Sequence, residues 1–427
     1  MEICTLAATA GSTRGSQAAP VSSEMNRAAP TSENSVDNHD GVRSDALRSR
    51  GNAGVIMHAS LEGEAAFASE NRALSLRLAQ HEFPIQIVPV SGQLARINDS
   101  TMGGNRKALQ HLLHDRLDLA ESVLYQSGAP TAWNLDFYGR CRVGRTEFGT
   151  DRIPDGWAER CNAIDELWLP SEFHREAFVA SGVERSKIRI IPHAIDSGVF
   201  HPAQIQFQIA SGKSFRFLAI SDGILASGTD ILIQAFIEEF GPDDDVSLII
   251  HTPGSRCDHA FIDVEAEFLF LIEKKFGRKL EDVPAITLLS GPMTDKERSR
   301  LCAWSHAFVQ PARAEANAQH CLEALACQVP VVATDWGPLS DFLNDRNSFP
   351  LATTGLGLTQ PEENELLAGH RWTEPSLDQL MHQMREVFTH SNEAARRADQ
   401  GRRDVLKRFE WRVVLPEWIR NFRRLLE

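Results

Sequence analysis

Residues 308–334 read FVQPARAEANAQHCLEALACQVPVVAT, and their pattern decides the fold. A short apolar run from Ala307 to Pro311 predicts a strand, and the polar residues after it a loop. A helix is expected from about Ala318 to Cys327, and a second strand from Val329 to Thr334. Strand–loop–helix–strand is the parallel α/β unit, in which ligands sit beyond the carboxyl ends of the strands. Glu315 lies at the centre of the loop and Glu323 inside the helix, with seven residues between them. The amides that open the helix favour phosphate. A carboxylate beside them offers charge-assisted hydrogen bonds to sugar hydroxyls. Phosphate donors beside hydroxyl acceptors point to a nucleotide-sugar. The spacing alone is common by chance, and one loop Glu with one solvated helix Glu is the plain alternative.

Composition sets the outer bounds. At 427 residues the chain exceeds one ordinary core, so two domains are expected. Acidic residues outnumber basic ones, 58 to 44, for a formal charge of −14, which disfavours a nucleic-acid partner. No apolar run approaches the roughly 20 residues of a membrane span. Seven cysteines without repeated spacing fit free thiols in a reducing cytosol, hence a cytoplasmic location. Residues 1–51 hold almost no large apolar side chains and are expected to be a disordered extension.

In the wider chain the anchor stretch resembles the E-x7-E signature of retaining glycosyltransferases of the GT-B fold, family 4. There a loop of the type EGFG precedes a helix ending in E-A-M-A-x-G-x-P-V. Here the loop is Glu315-Ala316-Asn317-Ala318 and the helix runs from Glu323-Ala324-Leu325-Ala326 to Val329-Pro330-Val331. The frame is kept and the loop glycines are not. Further upstream, GRTEFGTDRIPDGW (residues 144–157) resembles a subgroup pattern G-R-T-M-F-E-T-D-R-I-P-x-x-W, with Glu147 in place of Met and Gly149 in place of Glu. Arg145 and Arg152 could face the cleft or form structural ion pairs. KIRIIPHAID (residues 187–196) matches the family's domain junction, and His193 sits at its turn as a candidate catalytic group.

The resemblance implies an α/β GT-B architecture: two Rossmann-like, doubly wound parallel-sheet domains facing each other across a cleft. The acceptor-side domain is expected over residues 52–202. The nucleotide-sugar domain is expected over 203–410, with the helix over 411–427 packing back on the first. By the same resemblance Glu315 holds the donor sugar and Glu323 the ribose. The amides of Ala316, Asn317 and Ala318 approach the sugar and phosphate. The family also carries two cations that hold the donor diphosphate. Asp222 and Ser227 stand in their places, which removes contacts worth about 2–4 kcal/mol in a closed site. Gly228 and the helix start survive, and Arg313 and His320 are the candidate substitutes.

The implied activity moves a hexose from a nucleotide-sugar donor to a glycan or lipid-linked acceptor with retention, with no metal and no cofactor. A catalytically weakened GT-B domain that binds a glycan or scaffolds a partner is the alternative, and a UDP-sugar epimerase of the same fold a third. Asp243-Asp244-Asp245 could imitate a metal-binding D-x-D. It lies in a helix-to-strand turn away from the ligand edge and reads as a solvated turn. The basic terminal helix reads as a solvated face, with peripheral association at an anionic membrane as the alternative.

Overall fold

The computed structural model describes residues 2–5, 53–61, 66–90, 106–203, 207, 212–221, 225–253, 264–360 and 367–427. The first lobe alternates strands and helices: β2 (Val55–Ala59), α1 (Ala66–Gln80), β3 (Ile85–Pro89), α2 (Arg106–His111), β4 (Val123–Ser127) and β5 (Cys141–Arg145). It continues through α3 (Trp157–Asn162), β6 (Glu166–Leu169), α4 (Glu172–Ala180) and β7 (Ile188–Ile190). These strands form one parallel sheet in the order β3-β2-β4-β5-β6-β7.

The second lobe begins with β8 (Phe215–Ile220), α5 (Thr229–Glu239), β9 (Val246–Thr252), α6 (Val264–Phe270), β10 (Ala285–Ser290) and α7 (Asp295–Trp304). Then come β11 (Ala307–Gln310), α8 (Gln319–Ala326), β12 (Val331–Thr334) and β13 (Phe349–Leu351). Its sheet runs β1-β10-β9-β8-β11-β12-β13, all parallel except β1 (Glu2–Thr5), which pairs antiparallel with β10. The rest of the expected N-terminal extension lies outside the described residues. A hairpin of β14 (Thr353–Leu358) and β15 (Arg371–Pro375) is followed by α9 (Leu377–Thr389), α10 (Ser391–Arg408) and α11 (Trp411–Leu426).

The local chemistry explains these elements. β9 is buried at all seven positions, as a parallel strand covered on both faces must be. α5 is apolar nearly all round and lies buried beneath the sheet. α7 starts at a capping box, in which Thr294 and Glu297 satisfy each other's amides.

α11 closes the first lobe rather than the second. Its Trp418 and Phe422 are fully buried beside Tyr125 and Trp168, with Trp168 and Phe422 centroids 4.8 Å apart. Each such side chain contributes about 1.5–3 kcal/mol by leaving water. The chain therefore crosses between lobes twice, and the crossings touch. Ile195 N donates to Phe409 O at 2.7 Å, and Trp411 N donates to Ile195 O at 3.1 Å.

Candidate functional site

The second sheet reverses its winding between β8 and β11, and a doubly wound sheet opens its ligand crevice at that reversal. The loops that follow these two strands are in direct contact. Arg313 N and Ala314 N both donate to Ala226 O, at 2.9 and 3.1 Å. Gly228 has φ +69°, and a Cβ there would stand 1.8 Å from Pro311 O. Only glycine lets the two loops approach so closely.

Arg313 is held inside this junction. Its Nη1 donates to Asp230 at 2.6 Å and its Nε to Glu374 at 2.7 Å. Ser227 lies half-buried in the turn before Gly228, and Asp222 falls outside the described residues.

Glu315 turns onto its own loop. Its Oε1 accepts from Asn317 N at 3.0 Å and Ala318 N at 3.2 Å, while Gln310 Nε2 donates to Oε2. Ala318 adopts φ +56° to begin α8, a left-handed conformation uncommon outside glycine. The acid thus occupies amides that the sequence assigns to sugar and phosphate, and the Gln319 amide is taken by Asn317 Oδ1.

Glu323 is fully buried on α8, where the Arg298 fork donates to it at 2.9 and 3.2 Å. His320 Nδ1 lies 3.2 Å from its second oxygen. Burial alone would raise its pKa, but Arg298 and then His320 bring it down to about 2. Ser69 of α1 reaches Asp295, which shares Arg298, so this network touches the first lobe.

The opposing wall comes from the first lobe. Gly149 lies flush on the anchor loop, and a Cβ there would meet the Glu315 carbonyl carbon at 2.8 Å. His174 of α4 sits 2.7 Å from Ala316 O through Nε2 and 2.8 Å from Ser171 Oγ through Nδ1. Burial and then the charge of His193 lower its pKa to about 3. The ring is therefore neutral, with Nε2–H donating across the seam to Ala316 O.

Behind the seam lies a buried charged row. Arg145 donates to Glu70 at 2.9 and 3.1 Å. His193 Nδ1 is 3.0 Å from Glu70 Oε1 and its Nε2 is 2.7 Å from Glu147 Oε2. Carboxylates on both ring nitrogens require both to carry protons. Burial would lower the His193 pKa, yet Glu147 and Glu70 lift it to about 9. His193, Asn317, Ala318, Glu172 and Arg408 line a cavity of about 300 Å³ between the lobes.

Glu315 and His193 thus border one seam and Glu323 lies buried behind it, while Arg313 and Arg145 are consumed in ion pairs. Glu70, Glu147, His174 and Arg298 are functional-site candidates that sequence reading did not select. Glu147 alone carried a signal, as an acid where the subgroup pattern has Met. Among the described residues, no three His, Cys, Asp or Glu side chains gather to hold a metal ion. Among them also, no helix is long and apolar enough to cross a membrane.

No family model matches the chain, and no curated protein matches it in sequence. Solved structures do match. A glycosyltransferase from Rickettsia africae superposes with a TM-score of 0.62 at 14% identity, over 88% of this chain and 99% of that one. Sucrose-phosphate synthase from Thermosynechococcus elongatus gives 0.61 at 12% identity, over 88% and 99%. HepE of Anabaena, in complex with UDP and glucose, gives 0.57 at 14% identity, over 87% and 100%. The chain has the GT-B fold. In GT-B terms, the crevice at the β8–β11 reversal is the face that the second lobe turns towards the first, and the anchor stretch forms its rim.

Proposed function

We propose that the GT-B cleft binds a nucleotide-sugar and transfers its hexose, with retention, to a hydroxyl of a glycan or lipid-linked acceptor, without a metal. The observation that carries this reading is the convergence of the β8 and β11 loops at the sheet reversal, with Glu315 and Glu323 beside them. Glu315 meets the donor sugar by exchanging its hold on the Asn317 and Ala318 amides for sugar hydroxyls. Glu323, through its remaining lone pairs and the His320 ring, meets the ribose. The bond from the anomeric carbon to the diphosphate breaks with its electron pair going to phosphate. The acceptor oxygen bonds to that carbon, and its proton passes to the departing diphosphate. Such a transition state gains most from stabilising the leaving group. The Ser227–Gly228 turn and the start of α5 are the elements left to do so.

Calorimetric titration of UDP, UDP-glucose and GDP-mannose tests this directly. Binding at micromolar to millimolar concentration, weakened by His320→Ala, is expected, with transfer products of unchanged anomeric configuration by NMR. No binding at millimolar concentration sinks the reading. A second reading is favoured by one observation: Arg313 is committed to Asp230 and Glu374, so it offers a diphosphate no open donor fork. On that reading the cleft holds a glycan or supports a partner, and no nucleotide binding at millimolar concentration would identify it.

A further inference from the structure

Glu147 is 7% exposed, and its Oε2 is taken by His193. Its other oxygen accepts no hydrogen bond from any described residue. The residue is buried, but this oxygen is not itself sealed from solvent, so it is open to a ligand's hydroxyl. The row behind it holds it in place: Arg145 pairs with Glu70, and the doubly donating ring of His193 spans Glu70 and Glu147. Glu147 is therefore anchored through one oxygen.

Its position is at the seam. It follows the carboxyl end of β5, and Gly149, two residues on, lies against Glu315 of the second lobe. Thr150 Oγ1 is 2.8 Å from His370 Nδ1, and the Arg371 amide donates to Asp151 at 2.7 Å. Residues 148–151 thus run along the opposite lobe, immediately after Glu147.

We infer that the open oxygen of Glu147 is a hydroxyl-anchoring point for the acceptor, and that it selects neutral or cationic sugars over acidic ones. A fixed carboxylate accepts strongly from a sugar hydroxyl and repels a second carboxylate placed beside it. The anchored hydroxyl neighbours the reacting one; Glu147 takes no proton. The inference rests on the cleft being a glycosyl-transfer site, and its test separates failure of that premise from its own.

Full-length protein is assayed with UDP-glucose as donor and methyl glucoside, glucosamine or glucuronate as acceptor. Glucuronate should be poorer than methyl glucoside by about tenfold or more in kcat/KM. In Glu147→Gln that penalty should shrink, with acceptor KM raised and donor KM unchanged. Equal use of glucuronate and methyl glucoside by the native protein overturns the inference, as does a Glu147→Gln effect confined to donor KM. Should UDP-glucose not turn over at all, histidine-labelled NMR of the native protein decides without activity. Methyl glucoside should shift the His193 Nε2 resonance while glucuronate does not. No shift with either, as expected for an oxygen that only water meets, overturns the assignment. That measurement stands even if Glu147→Gln fails to fold.

Discussion

Glu323 shows how a residue picked for chemistry can be held by structure. Truncating it leaves Arg298 buried at 6% exposure with one charged partner fewer, since Asp295 and the Met293 carbonyl would remain on its fork. Breaking such a buried pair costs about 3–5 kcal/mol. Glu323→Ala should therefore lower the unfolding free energy of the second lobe, read from denaturant titration, by that amount. A loss under about 1 kcal/mol would show that Arg298 is readily re-solvated. The His193 row carries a pH signature. Its pKa is raised, so the stability it contributes is complete below about 6.5 and is lost as pH climbs through about 9. Glu70, held at about 2 by Arg145 and His193 against burial, contributes above about 4.5 and loses that as pH falls towards 2. The native chain should melt progressively lower from pH 6.5 to 9. His193→Gln should flatten that alkaline limb, and an unchanged slope would refute the clamp. Little of this row was legible in the sequence. Glu70, Glu147 and His193 lie far apart along the chain, and only the register of α1, β5 and the junction brings them together. The same holds for Glu315, whose spacing was readable but whose turn onto its own loop was not.

At the level of elements the sequence spoke more clearly. Buried parallel strands write themselves as unbroken apolar runs, as in β9 and β11, and the aromatic side chains of α11 stand on one face. Boundaries shifted where backbone conformation overrode pattern. α8 starts at Gln319 because Ala318 is left-handed, and β12 starts at Val331 because Gln328 has φ +60° and Pro330 follows. Gly228 is a test at this scale. A methyl group has no room beside Pro311 O and the φ is positive, so Gly228→Ala should cost at least about 2 kcal/mol and detach the two crevice loops. Unchanged thermal stability would mean that the loops do not meet. Trp418→Ala should cost about 3–5 kcal/mol and loosen α11 from the first sheet, read as lost amide protection over 411–426.

Across the whole molecule, the seam between lobes depends on small residues. At Gly149 there is no room even for a methyl group against the Glu315 carbonyl, and the anchor loop opposite carries only small Ala316 and Ala318 beside Asn317. Gly149→Glu should wedge the lobes apart, raising the radius of gyration in small-angle scattering and exposing the loop around Ala316 to exchange. An unchanged scattering profile would show that the seam tolerates a side chain. Two-lobe architecture was readable from length and from the repeated strand–helix order. The closeness of the lobes was not, because it rests on absent side chains rather than on present ones.

The paired crossings at Ile195 and Phe409–Trp411 have a mechanical consequence. A single tether would let the lobes swivel in any direction. Two strands bonded side by side behave like a door hung on two pins, free to swing about one axis and stiff against twisting. Distances between labels on opposite lobes should consequently spread along one arc as substrates enter and leave, and a broad two-dimensional spread would mean that the pins have come undone.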